Sequence, residues 1–416
     1  MQYKLGSFLP KVRHYVEIRA DATLTKDLQT AKVLFLDFAF EGPNGPTFYW
    51  VFPRERQWEE EIDELLPHLR NQTVQAVRVI VPNDTDFLSE TAVINDLPPS
   101  VSLSFLPIAN TVPTNAAKQV LEFAEIARQS AGAEYLAALK MDVDNFTSIF
   151  AEGLVRGATS LAHRMTLSRS FSYFFLGYVN AIARRYPLID PTGSVIEDSA
   201  KLYTVFAGGD DLFLLGPWNV VIDAAWHMRQ DFMHYTGNRD NLTISAGVTY
   251  CKPTFPIRRF TDLTDEAIGA AKAFKEETQD NKIHDAKDAL SLFGEVLHWD
   301  RSINRSKGIE LFSFDQLYNE FARPLAKLVE ESNAEAGVSH AFLMNLLTLK
   351  RTSLDQRKMD WKWKLPYLLA QAGVRKSMME ASEKWRLLSR LAEGDGKWFR
   401  SLEVPLMWAL LKTRRS

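Results

Sequence analysis

Residues 206–216 read FAGGDDLFLLG, so two glycines and two aspartates stand between two apolar runs. Gly208 and Gly209 can take positive φ at little cost, and the apolar runs on either side favour paired β-strands. The sequence therefore predicts a β-hairpin with Asp210 and Asp211 at its exposed tip. Two carboxylates so close together raise each other's pKa, which favours a cation at this tip.

The segments around this hairpin follow a recognisable order. A helix near residues 114–131 precedes the apolar run EYLAALKMDVDNF, and a long helical stretch follows from about 147 to 186. KLYTVF leads into the hairpin; then come a helix over 218–235, a strand in NLTISAGVTY, a helix in TDEAIGAAKAFKEE and a short strand in ALSLFG. Without the opening helix, this β-α-β-β-α-β order is typical of ferredoxin-like and palm domains.

A second pair of aspartates lies in MDVDN, on the first strand of that order. Strand alternation places Asp142 and Asp144 on one face. In a palm the first strand lies beside the hairpin, so Asp142 is expected close to Asp210 and Asp211. Three acidic oxygen donors suit Mg²⁺ or Mn²⁺ rather than zinc, and a divalent pair held in this way serves phosphoryl and nucleotidyl transfer.

Residues 264–272, TDEAIGAAK, predict a helix that ends on a lysine. The segment resembles the helix that presents a lysine to triphosphate in nucleotide cyclases of the GGDEF class. Lys272 is therefore expected to act as a point charge on phosphate. A lysine that faces solvent from a helix is an equally good interpretation of the spacing alone.

The remaining segments complete an α+β protein with three predicted domains. Residues 1–112 form a small N-terminal α/β linker domain, with strands in AKVLFLDFAF, TFYWVF, AVRVIVP and VSLSFLP, a hairpin loop in EGPNGP and one amphipathic helix, RQWEEEIDELLPHL. Residues 113–300 form the ferredoxin-like palm. Residues 301–416 form a C-terminal helical bundle whose tryptophans are expected in its core: Trp361, Trp363, Trp385, Trp398 and Trp408.

Composition narrows the class of protein. The chain is 46% hydrophobic and 24% charged, which is ordinary for a globular protein. No run approaches the roughly 20 apolar residues of a membrane span, and the N-terminus lacks a secretory signal, so a cytoplasmic protein without membrane contact is expected. Cys251 is the only cysteine, which excludes an internal disulfide and a zinc site of several thiolates.

Charge is unevenly distributed along the chain. The formal net charge is −3, yet residues 341–416 carry sixteen Lys/Arg against seven Asp/Glu. Such local basicity attracts phosphate backbones. A solvated helical surface balanced by an acidic neighbouring subunit is an equally good interpretation.

Together these motifs resemble the large subunit of type III CRISPR effector complexes, of the Csm kind. The matching pieces are LAALKMDVDNFTSIF, TLSRSFSYFF, YTVFAGGDDLFLLGPW, LTISAGV, the AAK helix and DALSLFGEVLHW, with LGSFLPKV and PLMWALLKTR in the flanking regions. The resemblance covers nearly the whole chain. It implies a polymerase-cyclase that converts ATP into cyclic oligoadenylates, second messengers, when guide RNA pairs with a target transcript.

The same resemblance implies roles for individual residues and for partners. Metal binding and catalysis are implied for three aspartates: Asp142, Asp210 and Asp211. Nucleotide binding is implied for five further residues: Gly208, Gly209, Lys272, Asn145 and Ser168. For Asn145 and Ser168, a helix N-cap and a helix hydroxyl bonded to its own backbone are alternatives. The implied partners are the backbone, cap and small subunits of the complex, guide RNA and target RNA.

The chain also departs from the family pattern. The family's large subunit usually begins with an HD nuclease domain and a first palm, and neither is found ahead of residue 1. The sole His-Asp pair, His284 and Asp285, has no histidine cluster around it, so no DNase activity is expected. The zinc-binding cysteines of many members are missing too. Since the family's cyclase forms between two palms, we expect the C-terminal half of a split subunit, docked on a separate chain that carries the HD and first palm domains.

Two other functions stay open. A diguanylate cyclase is the nearest enzymatic alternative, although the hairpin reads GGDDLF instead of GGDEF and Thr147 stands where those cyclases usually place lysine. A catalytically silent scaffold, which binds guide and target RNA through the basic tail, is the other. Intact Asp142, Asp210 and Asp211 argue against silence, because like charges kept together without a metal would cost stability.

Overall fold

The computed structural model describes residues 15–20, 36–41, 47–51, 74–82, 101–152, 160–277, 283–305, 309–330, 338–355, 361–371, 399 and 401–414. The chain divides into two compact units, Met1–Asn110 and Thr111–Ser416. In the described part of the chain, no helix is both long enough and apolar enough to cross a bilayer.

The first unit contains a five-stranded sheet. Its strands are β1 Tyr15–Ala20, β2 Leu36–Glu41, β3 Thr47–Val51, β4 Val74–Pro82 and β5 Val101–Leu106. Their order is β2-β3-β1-β4-β5, and only β4 and β5 pair in parallel. Four strands coincide with predicted ones, whereas β1 was not predicted. The predicted loop EGPNGP, beyond its first residue, and the helix RQWEEEIDELLPHL lie outside the described residues.

The second unit is built on a six-stranded sheet and a short hairpin. The hairpin pairs β7 Pro187–Ile189 with β8 Val195–Ala200. The sheet strands are β6 Leu136–Val143, β9 Tyr203–Gly208, β10 Asp211–Pro217, β11 Ile244–Cys251, β14 Ala289–Leu292 and β15 Glu295–His298. Their order is β15-β14-β11-β6-β10-β9. β6 is central, and its apolar residues are buried on both faces, so this strand is the most enclosed part of the sheet.

Six helices accompany this sheet in the part of the chain that the structure describes. They are α1 Phe123–Arg128, α2 Phe146–Glu152, α3 Leu161–Tyr173, α4 Val179–Ala183, α5 Trp218–Tyr235 and α6 Ile257–Lys272, with a π-helical turn, Phe174–Tyr178, between α3 and α4. α5 coincides with the predicted helix over 218–235. The predicted helix over 114–131 is wrong for its first half, because Thr114 and Val120 close a turn by a β-bridge. Among its described residues, the predicted helical stretch over 147–186 contains most of α2, with α3, the π-helical turn and α4.

The chain after α6 mixes short strands with helices. β12 Lys275–Glu277 pairs with β13 Ile283–Asp285, and β16 Ile303–Arg305 pairs with β17 Ile309–Leu311. The helices are α7 Phe314–Leu317, a π-helical turn Tyr318–Ala322, α8 Arg323–Glu330, α9 His340–Asp355, α10 Trp361–Gln371 and α11 Glu403–Lys412. Two predictions are therefore wrong in detail: KEE after α6 is a strand, and the segment from 301 begins with a hairpin.

The tryptophans of the last helices differ in their surroundings. Trp408 is buried and contacts Trp218 and Tyr318, with ring centroids 4.8 Å apart in both pairs. Trp361 stacks on Phe399. Trp363 is 63% exposed, so the prediction of a core position is wrong for it. Trp385 and Trp398 lie outside the described residues.

A buried ion-pair cluster also joins the last helices to the sheet. Lys350 of α9 is 2% exposed, and its Nζ donates to Glu295 Oε1 of β15 at 2.5 Å and to Glu403 Oε2 of α11 at 3.0 Å. The sheet and the helices thus share contacts inside one unit. The predicted domain boundary at residue 300 stays a prediction.

Candidate active site

Strand register brings Asp142 of β6 opposite Asp211 of β10. The amide of Val143 donates to the carbonyl of Asp210 at 3.0 Å, so Val143 and Asp210 form the hydrogen-bonded pair at this end of the ladder. The next pair, Asp142 and Asp211, then occupies a non-hydrogen-bonded position, where facing side chains come closest. The expected meeting of the first strand and the hairpin is confirmed by this register.

The hairpin tip has a two-residue turn, Gly209–Asp210. Gly209 has φ +65°, and a side chain there would meet no atom within 4 Å. Asp210 does not take a positive φ. Glycine at the first central position is typical of a type II′ turn, whose twist suits the strands it joins. Gly208 ends β9 without a positive φ, so the expectation of positive φ is right for Gly209 and wrong for Gly208.

Electrostatics at this tip favour a cation. Burial raises the pKa of Asp210, and the neighbouring carboxylate of Asp142 raises it further. Burial likewise raises the pKa of Asp211, followed by repulsion from Asp210 and Asp142, while Lys140 acts in the opposite direction. Each ionised carboxylate thus adds to a crowded negative cluster. Such clustering of raised pKa values is common at functional sites.

The pKa of Asp211, raised by burial and then by repulsion, predicts a stability effect for Asp211→Asn. A raised carboxylate pKa in the folded state means that ionisation disfavours folding. The cost is full at neutral pH and vanishes once both states are protonated, below about pH 3. Without divalent cations, we expect the variant to melt roughly 1–3 °C higher than the native chain at pH 7, a gain that fades as the pH falls. Exposed Asp240→Asn is the control. A lower melting temperature for Asp211→Asn at pH 7 would contradict this reading.

Helix α6 is held against the sheet next to the carboxylates. A Cβ on Gly247 of β11 would lie 2.3 Å from the backbone nitrogen of Ile268, so the helix backbone sits directly on the strand. Lys140, two residues before Asp142 on β6 and hence on the same face, is ion-paired with Asp265 of α6. These contacts fix the direction in which the helix runs towards the strand end.

The last residue of α6 reaches the aspartates. Lys272 Nζ donates to Asp142 Oδ1 and also to the carbonyl oxygen of Val143, the latter at 3.1 Å. Its side chain is 30% exposed. The alternative of a lysine that only faces solvent is therefore wrong. Its ammonium offsets part of the cluster's negative charge and stays accessible to a ligand.

Asp144 does not join this exposed cluster. It is fully buried, and its two oxygens accept hydrogen bonds from Ser245 Oγ at 2.8 and 3.0 Å, from Thr243 Oγ1 at 2.9 Å and from the amide of Asp288 at 3.0 Å. The shared face expected from alternation does not make it a partner of the exposed carboxylates, because β6 ends at Val143. Asp144 instead anchors the chain immediately after the strand.

A second acidic group lies behind this anchor. Carboxylate or imidazole atoms of Asp288, His298 and Asp300 lie within 4.8 Å of one another. Arg229, itself buried, already pairs with Asp288 at 2.6 Å and with Asp300 at 2.7 Å. The group is therefore a charge-paired network rather than a set of ligands. The sequence offered no signal for it, since its members come from three separate segments.

The two residues expected near ribose or adenine have different surroundings. Asn145 is exposed directly before α2, has φ +57°, and its Oδ1 accepts a hydrogen bond from Lys287 Nζ at 2.5 Å. Asn145 takes the N-cap position of α2, since its carbonyl accepts from the amide of Ile149 at 2.9 Å, but its backbone is left-handed instead of extended. Ser168 is exposed on α3 and lines an open hollow of about 500 Å³. The other residues of that hollow are Phe150, Arg164, Met165, Arg169 and Ser172.

Comparison with known sequences agrees with this geometry. Residues 135–284 match the family model described as Cas10/Cmr2, second palm domain. The chain is 29% identical over 226 residues to a protein of Methanocaldococcus jannaschii, covering 52% of this chain and 28% of that protein. It is 32% identical over 177 residues to one of Thermococcus onnurineus, covering 41% and 22%. Both bear the name CRISPR system single-strand-specific deoxyribonuclease Cas10/Csm1 (subtype III-A).

Comparison with solved structures shows the fold. A crystal structure of Csm1 in T. onnurineus superposes with a TM-score of 0.62 at 21% identity, over 99% of this chain and 50% of that chain. A Csm1-Csm4 cassette in complex with one ATP gives 0.60 at 20% identity, over 98% and 49%. A cassette in complex with cA4 gives 0.53 at 20% identity, over 80% and 44%.

The matched regions make up a larger share of this chain than of the proteins it resembles. The chain spans about half the length of the solved Csm1 chains and less than a third of the two curated proteins. The region matched by the family model contains the three aspartates and Lys272. The chain resembles the Cas10/Csm1 large subunits of type III CRISPR systems, and residues 135–284 carry the likeness to their second palm domain.

Proposed function

We propose that this chain supplies the catalytic palm of a cyclic oligoadenylate synthetase, a nucleotidyltransferase that acts on ATP within a target-RNA-activated type III effector complex. The observation that carries the proposal is the meeting of Asp142, Asp210 and Asp211 at one strand end, with Lys272 bonded to Asp142. Likeness to Csm1 structures described in complex with ATP and with cA4 supports the choice of substrate and product.

We assign the central four strands to a ferredoxin-like palm. Their order, β11-β6-β10-β9, places the first strand of the motif next to the third, and all three pairings are antiparallel. Helices α2 to α4 connect β6 towards β9, and α5 connects β10 to β11. The split βαβ arrangement has this order of elements. This strand order supports a site formed by β6 and β10, the two central strands, at one end of the sheet.

The donor set fits a hard divalent cation. Three carboxylates, two of them with pKa values raised by burial and mutual repulsion, provide oxygen ligands of the kind that Mg²⁺ and Mn²⁺ prefer. When bound, such ions activate a ribose hydroxyl and stabilise charge on the triphosphate. Asp142, Asp210 and Asp211 would hold them.

The other residues of the site would position the nucleotide. Gly209 leaves open space at the hairpin tip, so a nucleotide can approach the backbone closely. Lys272 carries an ammonium that can exchange its bond to Asp142 for one to phosphate. Gly208, Asn145 and Ser168 complete the proposed nucleotide-binding set. Of these, Asn145 follows β6 directly and Ser168 lies on a neighbouring helix.

The proposal extends to partners. We propose that the chain works with the other subunits of a type III complex, with guide RNA and with target RNA. We further propose that synthesis needs the remaining half of a Csm1-type subunit, joined to this chain or separate from it, because the likeness reaches only about half of the solved Csm1 chains.

Incubation of the assembled complex with ATP and with GTP, each labelled, tests the function. With guide RNA, matching target RNA and Mg²⁺ or Mn²⁺, we expect cyclic oligoadenylates from ATP and no cyclic product from GTP. Cyclic diguanylate would indicate a diguanylate cyclase. No product from either nucleotide, with RNA binding intact, would indicate a scaffold. Full synthesis by this chain alone would contradict its dependence on the remaining half.

A further inference from the structure

A second lysine approaches the same strand end from another side. Lys272 reaches residues 142–143 from α6. Lys287 lies in the segment between β13 and β14, and its Nζ donates to Asn145 Oδ1 at 2.5 Å. The four residues that end β6 and lead into α2 are thus flanked by two ammonium groups. The sequence analysis singled out Lys272 and gave Lys287 no role.

The backbone that presents Lys287 is unusual. Lys287 has φ +30° and Asp288 has φ +43°, two successive non-glycine residues in the left-handed region. Such a conformation costs free energy and persists only where the surroundings impose it. Here the amide of Asp288 donates to the buried carboxylate of Asp144. The carboxylate of Asp288 accepts a hydrogen bond from buried Arg229 at 2.6 Å. The fixed Asp288 therefore holds the preceding lysine in place.

The contact that Lys287 makes leaves its charge available. Asn145 Oδ1 is a neutral amide oxygen, so the hydrogen bond does not neutralise the ammonium, which has two more donors. Its partner Asn145 lies three residues after Asp142, which faces Asp211 across the ladder. A polyphosphate placed beside these carboxylates would add more negative charge than Lys272 alone offsets. A second fixed cation at this point suits a polyphosphate better than it suits a neutral ligand.

We propose that Lys287 binds the polyphosphate arm of the nucleoside triphosphate together with Lys272. The proposal rests on the proposed function for the identity of the nucleotide, but the phosphate contact can be measured without any turnover. If Lys287 only held Asn145 in place, its loss would affect ligands with and without a polyphosphate alike. A direct phosphate contact would affect only those with one.

Binding of two probes to the assembled complex separates these cases. The probes are inorganic tripolyphosphate and AMP, measured by calorimetry with Mg²⁺. We expect Lys287→Ala to weaken tripolyphosphate binding roughly tenfold and to leave AMP binding within about twofold, since one charge-assisted hydrogen bond is lost. Lys287→Arg should restore most of the affinity, and Lys287→Gln should not. Lys287→Gly removes the side chain while relieving the positive φ, so it should match Lys287→Ala without loss of folding.

The matched control is Lys252→Ala. Lys252 is exposed and follows β11 at the end opposite to the aspartates, where Cys251 faces Leu136. The Lys252→Ala variant should bind tripolyphosphate and AMP with the same affinity as the native chain. For ATP turnover, Lys287→Ala should raise KM roughly tenfold and change kcat less than about threefold, as loss of uniform binding does.

Three results would overturn the proposal: unchanged tripolyphosphate binding in Lys287→Ala, equal weakening of both probes, or native binding by Lys287→Gln. A complex that makes no product from ATP, yet loses tripolyphosphate affinity selectively in Lys287→Ala, would refute the proposed function and support the phosphate site. The two failures are therefore distinguishable.

Discussion

Synthesis of oligoadenylate should fall at least about 1,000-fold when Asp210→Ala and Asp211→Ala are combined, a loss of roughly 4 kcal/mol in transition-state stabilisation. The reason is geometric. Asp211 faces Asp142 across the β6–β10 ladder and Asp210 occupies the adjoining turn, so the double variant leaves a single carboxylate at the strand end. The measurement is the initial rate of product formation from labelled ATP by the complex assembled with guide and target RNA.

The control for this experiment is Asp240→Ala, which removes an exposed aspartate elsewhere in residues 135–284. It should leave the rate unchanged. Target RNA binding should persist in the double variant, which shows that the complex still assembles. Mn²⁺ binding should weaken in parallel with the rate. If the double variant made product at the native rate, Asp210 and Asp211 would not be catalytic residues.

Gly247→Ala should have the largest effect on stability. The added Cβ would lie 2.3 Å from the nitrogen of Ile268 and 2.8 Å from the carbonyl carbon of Ala267, both backbone atoms that cannot rotate away. Helix α6 would have to lift from β11, and we expect a loss of about 2–3 kcal/mol in the free energy of unfolding. Urea unfolding followed by circular dichroism measures it. Because Lys272 ends this helix, ATP affinity should fall as well.

Gly269→Ala is the matched control on the same helix. Its Cβ would meet no atom within 4 Å, so the substitution only replaces a flexible residue inside a helix. We expect it to stabilise the protein by roughly 0.5–1 kcal/mol. Equal stability of Gly247→Ala and Gly269→Ala would contradict the close packing of the α6 backbone on β11.

Local chemistry explains what the sequence could predict. The GGDD hairpin was predictable because glycine at a two-residue turn and apolar runs beside it leave few other conformations. The helix over 218–235 was predictable at both ends: Pro217 precedes its first residue, and Gly237, with φ +73°, follows its last turn. Asp142 was placed correctly beside the hairpin because the predicted order of helices and strands implied the pairing of β6 with β10.

The parts that escaped prediction depend on distant segments. Asp144 looked equivalent to Asp142, and only its bonds to Thr243, Ser245 and Asp288, all about 100 or more residues away in sequence, make it a buried anchor. No local sequence pattern predicts the position of Lys287, because that position depends on the contacts of the next residue, Asp288. Helix content over residues 114–122 was overestimated because helical spacing does not reveal a turn closed by a single bridge.

Lys350 has a consequence for how this half of the protein comes apart. Its buried ammonium lies between a carboxylate of the sheet and one of helix α11. Separating those two elements would take one of its two carboxylates away from the ammonium and so weaken a buried ion-pair network. Lys350 therefore couples the stability of the sheet edge to that of helix α11.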